Sequence, residues 1–432
     1  MFGFFAQTLY DFIDIVWIGR ISAQAVAGVV IFVTIFWLAD IINEIIGISS
    51  VSLISQSFGA GQLEKTKQVI EQSIFFKALV SIIMAVIFLL FLKPLCSFFA
   101  TEPEVINYAL EYGVIRSLFL PFMFSSFSVN TALRCIGDAK YPMYIMLFTS
   151  ILNIVLDPIL MFETIPGTSL PGMGMGIKGA AIATVISTII ALLIGLIILL
   201  SGKSYIKISF SGLFKLSKEN FKKLSTIGLP AGVEMLFRQG GQLLLLKFVS
   251  FYGTLSLAIF GVGMKLFNLV FLPLLGLAMG GSAIAGQNLG ANNIERTHKT
   301  AIYASYLGII ITGIIASLAM LFPETIIRIF MDQKEAIEIG EKMIYIISPS
   351  SIAVAITMGL NTVFTGSGYN MPYLISGIAA RWFFQIPYSV LVVYIFQLPI
   401  TFIWSGFLIA EFIELLVIYA FYQQGRWKIT RV

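Results

Sequence analysis

Long apolar runs, separated by short polar or Gly/Pro-rich breaks, recur from one end of the chain to the other. A helix that crosses a bilayer needs about 20 mainly apolar residues. Twelve stretches of that kind occur, over 2–19, 25–55, 67–92, 105–133, 141–162, 177–200, 224–251, 255–284, 300–321, 336–364, 371–396 and 399–422. The pattern predicts an all-α integral membrane protein with twelve transmembrane helices. Composition agrees, because 58% of residues are hydrophobic and 11% charged, against about a quarter charged in soluble domains.

The polar breaks carry a repeat. Shifting the chain by 231 positions sets Gln56, Gly59, Ala60, Glu64 and Thr66 on Gln287, Gly290, Ala291, Glu295 and Thr297. The same shift pairs Asn130 with Asn361, Thr131 with Thr362 and Gly137 with Gly368. One offset held over so long a stretch implies duplication, giving two pseudo-symmetric six-helix bundles around a central cavity. Their expected bounds are residues 1–200 and 224–432, joined by a basic cytoplasmic linker over 201–223. Six helices per copy leave both copies in one orientation, as in parallel-repeat transporters, where rocking of one lobe against the other gives alternating access. The shift maps Met1 onto Gly232. With a seventh helix beginning near Leu224, the first helix is expected to be roughly two turns shorter than its counterpart at 3.6 residues per turn. A start upstream of Met1, or a first helix that begins within the membrane, would account for it.

The net charge of +5 does not call for nucleic acid. With both termini in the cytoplasm, fifteen loop lysines and arginines lie inside and five outside, as the positive-inside rule requires. The chain is therefore expected to be a multi-pass cell-membrane protein. Its first segment lacks a basic flank and carries Asp11 and Asp14, unlike a cleavable signal peptide. Cys96 and Cys135 fall at opposite membrane faces, out of disulfide reach. His298, the one histidine, is expected to be solvated in a cytoplasmic loop.

A charge at mid-membrane costs about 2.5–3.5 kcal/mol on insertion scales, so each ionisable residue inside a span asks for a reason. Gln7, Tyr10, Asp11 and Asp14 recur along one stripe of the first helix. Asn153 and Asp157 stand one turn apart on the fifth. Pro158, lacking an amide hydrogen, frees the carbonyl of Ile154 beside them, and Thr184 on the sixth helix offers a hydroxyl. Two carboxylates, an amide oxygen and a hydroxyl suit either a sodium ion or a proton; the structural alternative is that they cap neighbouring helices. Asp40 and Glu44, one turn apart on the second helix, line a cavity or meet a basic residue from another helix. In the second lobe Glu234 and Arg238 form an i, i+4 pair expected to neutralise itself. Lys247, Lys265 and Arg381 have no local acid, although Glu411 and Glu414 on the last helix are candidates to reach them. An acidic lobe facing a basic one would make a polarised cavity, suited to zwitterionic or anionic substrates as well as cations. The cavity set is Gln7, Tyr10, Asp11, Asp40, Glu44, Glu234, Arg238, Lys265 and Arg381. A histidine pair and a Ser/His dyad are both missing from the sequence, which argues against an enzyme.

Eight segments together, LYDFIDIVWIGR, SQSFGAGQLEKT, LRCIGDAKYP, LNIVLDPIL, GIKGAAIATVIS, GLPAGVE, AGQNLGANNIERT and the terminal GRWK, resemble the multidrug and toxic compound extrusion (MATE) family over essentially the whole chain. The resemblance implies a secondary active multidrug efflux transporter that exchanges sodium ions or protons for small amphipathic organic compounds. It also implies a first-lobe cation site on Asp14, Asn153, Asp157 and Thr184, with Gln7 and Tyr10 nearby and Asp11 where an asparagine is common. Some members place a carboxylate eight residues after the seventh-helix proline; here Pro230 leads to Arg238, so a second-lobe cation site of that type is not implied. The expected cofactor is none beyond the coupling ion, and the expected partners are an organic substrate and membrane lipid, with the chain acting as a monomer. The alternative is a flippase for a lipid-linked or amphipathic lipid substrate, motivated by the basic second lobe.

Overall fold

The computed structural model describes residues 2–215 and 217–432, without the side chains of residues 2, 4–9 and 11. Expectations that fall on the side chains of Gln7 and Asp11 lie outside the described residues. The chain divides between Ser225 and Thr226 into two compact units.

The first unit runs through α1 (Phe2–Gly19), α2 (Ala23–Gly59), α3 (Leu63–Phe99), α4 (Pro103–Leu118), α5 (Leu120–Cys135), α6 (Lys140–Met161) and α7 (Ile177–Ser201), and closes with α8 (Lys218–Thr226). The second holds α9 (Leu229–Ser250), α10 (Thr254–Gly290), α11 (Ile294–Leu321), α12 (Pro323–Arg328), α13 (Lys334–Ile347), α14 (Ser350–Ser367) and α15 (Met371–Ile378). A π-helical turn, Ala379–Gln385, then leads through α16 (Ile386–Val390) and a second π stretch, Leu391–Ile395, to α17 (Thr401–Gln424).

Among the described residues nine helical spans are long and apolar enough to cross a membrane. The α4–α5 pair, bent by 54°, makes a tenth; Pro121 cannot donate to the carbonyl of Ser117, so the helix breaks there. The predicted twelve are completed by α1 and α9, the opening helix of each unit, whose Asp11, Asp14, Glu234 and Arg238 dilute their apolar character.

Helix α3 shows how a span divides its faces. Lys77, Ser81, Ala85, Phe88, Leu92 and Cys96 are buried at steps of three and four. Leu79, Ile82, Ile83, Val86, Leu90 and Phe91 lie exposed on the other side, an apolar stripe that only lipid makes favourable. Both cysteines are buried, and neither is in a disulfide.

The repeat is visible in the backbone. Under the 231-residue shift α2 maps end to end on α10. The turn after each helix needs a left-handed residue at the same place, supplied by Gly61 (φ 72°) in one unit and Asn292 (φ 57°) in the other. These are the residue types that bear that conformation most easily.

Two expectations change. The seventh span does not start near Leu224: Ile227 and Gly228 break the chain ahead of Pro230, and proline suits the first turn of a new helix. The opening helices then measure 18 and 22 residues, a difference of about one turn rather than two. His298 is exposed, yet its Nδ1 lies 2.5 Å from the Tyr422 hydroxyl, with the rings stacked at 5.8 Å. The stretch after α7 folds back on α3, where the buried Glu71 accepts from the Ser209 amide at 2.6 Å and its hydroxyl at 3.0 Å. Phe214 and Phe221 pack on Phe75 and Phe76 beside it.

Small residues let helices approach closely. A Cβ on Gly366 of α14 would stand 2.7 Å from the Gly286 nitrogen and 2.8 Å from the Ser282 carbonyl on α10. Gly366→Ala is expected to destabilise by about 1–3 kcal/mol through overpacking, read as a lowered thermal unfolding midpoint of purified protein. An unchanged midpoint would show that α10 and α14 do not meet this closely.

Candidate functional site

Helix α6 packs between α1 and α7. The start of α7 is nearly all small residues, with Gly179, Ala180, Ala181 and Ala183 buried. A Cβ on Gly179 would fall 2.6 Å from the Leu160 carbonyl, so α7 lies against the backbone of α6 and carries Thr184 to the level of Asn153. The resulting group is sealed: Asp14, Asn153, Asp157 and Thr184 are 7%, 1%, 0% and 6% exposed.

Within it the Thr184 hydroxyl donates to the Ala180 carbonyl at 3.1 Å, and the Asn153 amide lies 3.5 Å from the Thr184 hydroxyl. Turned over, the same amide satisfies its neighbours better, donating to Asp157 Oδ2 at 3.2 Å while its oxygen accepts from the Thr184 amide at 3.3 Å. Asp157 Oδ1 is buried with no hydrogen-bond donor. Asp157 also feels the charge of Asp14 across the α1–α6 contact. With its oxygen toward the carboxylates Asn153 adds an acceptor to theirs; turned the other way it satisfies Asp157 itself. Tyr10, one turn before Asp14, is half-buried. A shallow cleft edged by Arg116, Phe119, Phe122, Met123 and Thr188 reaches Thr184 on its other side.

Asp40 and Glu44 stand apart from this group. Fully buried Lys77, from α3, donates to Asn43 Oδ1 at 2.7 Å and lies in the field of both carboxylates. Arg116 and Arg134 act on the same cluster. The structural reading of Asp40 and Glu44, a basic residue supplied by another helix, thus describes what is seen. Sequence reasoning overlooked Lys77, although a lone lysine inside the third apolar run was a usable signal.

The second unit departs from expectation in sign. Arg238 donates to Glu234 at 2.6 Å and to Glu414 at 2.7 Å, while Arg381 donates to Glu411 at 2.7 Å and approaches Glu414 at 3.5 Å. The i, i+4 pair exists but is part of a larger network, and Arg381 does have acidic partners. The picture of a basic lobe is therefore corrected: the two arginines meet three glutamates, of which Glu411 and Glu414 come from a helix distant in sequence. Lys247 and Lys265 are exposed and outside the network, Lys247 lying 5.4 Å over the Phe251 ring.

Two like-built units of membrane-spanning helices, one of them enclosing buried carboxylates, have the architecture of a polytopic membrane protein. A family model described as MatE matches residues 1–159 and 230–391. The chain belongs to the MatE family, whose members are transporters and not enzymes. It is 29% identical over 99% of its length, and 92% of the relative's, to the probable multidrug resistance protein YoeA of Bacillus subtilis strain 168. It is 25% identical over 98% of its length, and 89% of the relative's, to the probable multidrug resistance protein NorM of Thermotoga maritima. Among solved structures, an outward-facing multidrug resistance MATE family transporter of the MOP superfamily superposes with a TM-score of 0.89 at 22% identity, covering 100% of this chain and 94% of that one.

Removing Lys77 leaves Asp40, Asn43 and Glu44 without their buried cation. Lys77→Met is expected to cost about 3–5 kcal/mol, seen as a lower unfolding midpoint, and Glu44→Gln added to it should restore part of the loss. A single variant as stable as wild type would contradict the pairing.

Proposed function

We propose that the protein exports small amphipathic organic compounds across the cell membrane, with both termini cytoplasmic, in exchange for a sodium ion or proton held by Asp14, Asn153, Asp157 and Thr184. The carrying observation is the buried convergence of these side chains from α1, α6 and α7, with Asp157 Oδ1 lacking any donor. A buried carboxylate oxygen left without a partner costs free energy unless a proton or cation meets it. The donor set of carboxylates, amide oxygen and hydroxyl is hard and oxygen-rich, as a small monovalent ion requires. The names of the Bacillus and Thermotoga relatives support organic compounds of varied structure as substrates.

Coupling follows from differential affinity: a ligand shifts a conformational equilibrium only as far as it prefers one state. Cation in the chamber favours one arrangement of α1, substrate the other, and the two states open to opposite sides. One elementary charge moving down 100 mV supplies about 2.3 kcal/mol, roughly a fortyfold gradient of a neutral substrate. The flippase alternative loses its motive, since the arginines of the second unit are matched by glutamates.

Reconstituted protein given a sodium or a pH gradient should expel a fluorescent organic cation. Asp14→Asn and Asp157→Asn are expected to abolish gradient-driven efflux while leaving the unfolding midpoint near wild type. Thr184→Ala, which removes one neutral ligand, should weaken apparent cation affinity about tenfold, on the scale of a single hydrogen-bond-sized contribution. Efflux unaltered in both aspartate variants would exclude this site.

A further inference from the structure

By helix order and the internal repeat, α9, α15 with its π continuation, and α17 take in the second unit the places that α1, α6 and α7 take in the first. Those second-unit elements gather Glu234, Arg238, Arg381, Glu411 and Glu414. The formal charge does not balance, because three carboxylates meet two guanidiniums. All three glutamates and Arg381 are more than nine-tenths buried, where an uncompensated charge is not tolerated at low dielectric. A metal ion is a poor remedy, since it would have to sit among two guanidiniums already bonded to the carboxylates. A proton meets no such repulsion.

Two further observations point to the same place. Glu234 Oε2 and Gln385 Nε2 are buried polar atoms without a hydrogen-bond partner, and Gln385 Oε1 lies 3.5 Å from Arg381. Gln385 and Arg381 both ride on the π-helical turn Ala379–Gln385, and such turns are frequent where helices carry function. The other charged or titratable neighbour of Glu234 is Tyr373 of α15, whose ring lies 5.8 Å beneath the Arg238 guanidinium. Arg238, about a third exposed, is the open edge of the network.

We propose that this network is a second proton-binding site, with the exchangeable proton carried on Glu234. Glu414 receives both arginines and Glu411 receives one, so Glu234, whose Oε2 no arginine reaches and beside which the Tyr373 hydroxyl stands, is the carboxyl placed to take the proton. A proton arriving there turns carboxylate into acid and weakens the Glu234–Arg238 bond within α9, leaving Arg238 to Glu414 of α17; its departure restores the bond. The use of that proton in coupling rests on the transporter reading above, whereas its presence does not.

Infrared difference spectra of the purified full-length protein test it. Wild type is expected to show a protonated-carboxyl stretching band that is missing from Glu234→Gln. The same band should vanish from Glu414→Gln and from Glu411→Gln, since either substitution leaves two carboxylates for two guanidiniums and Glu234 then ionises. Identical spectra for wild type and Glu234→Gln, or a band that survives in the other two variants, would overturn the proposal. Because the band is read without transport, a protein that failed to export anything would still decide it, and loss of the proposal would leave the first-unit site untouched.

Discussion

The controlling constraint on this structure is the cost of placing charge where water cannot follow. Each carboxylate inside the helical units must be met by a donor, a cation or a proton, and the three buried polar groups meet that demand differently. Asp40 and Glu44 are answered by Lys77, with Asn43 bonded to its ammonium. Glu234, Glu411 and Glu414 are answered by two arginines. Asp157 has the Asn153 amide beside it, and Asn153 in turn has the Thr184 hydroxyl. That difference is why we propose the last group as the place for an ion that comes and goes.

The repeat sharpens the contrast. Duplication supplies each unit with the same helices and the same turn geometry, down to the left-handed residue after the second helix. Chemistry has diverged on that shared frame. One unit uses its opening helix to carry an aspartate into an oxygen-lined chamber; the other uses it to carry a glutamate and arginine into an ionic lattice. A π-helical turn in the second unit shifts the helix register where Arg381 and Gln385 enter that lattice, while the matching helix of the first unit is a regular α-helix as far as Pro158 and beyond.

Much of the architecture was legible in the sequence, because hydrocarbon imposes a long apolar period that only helices satisfy. Helix number and the duplication followed from it. Breaks inside spans were less visible: 105–133 reads as one span although Pro121 stands where α4 and α5 bend, and nothing in the local pattern announced the π turn after Ile378. At the site, spacing within one helix was readable, so Asn153 and Asp157 could be set on one face. Pairing between helices was not, since it depends on distances between segments far apart in the chain. For that reason Arg381 stood without a local acid, although Glu411 and Glu414 were among the candidates to reach it, and the link from Arg238 to Glu414 went unread. Lys77 was passed over because one polar residue scarcely alters the average of a strongly apolar run.

Charge displacement separates these accounts most directly. Proteoliposomes on a capacitive support, given a jump in sodium or proton concentration without any organic substrate, should show a transient current that saturates with cation concentration and disappears in Asp157→Asn. A transient of wild-type size and saturation in that variant would contradict the assignment of the coupling ion to the chamber between α1, α6 and α7.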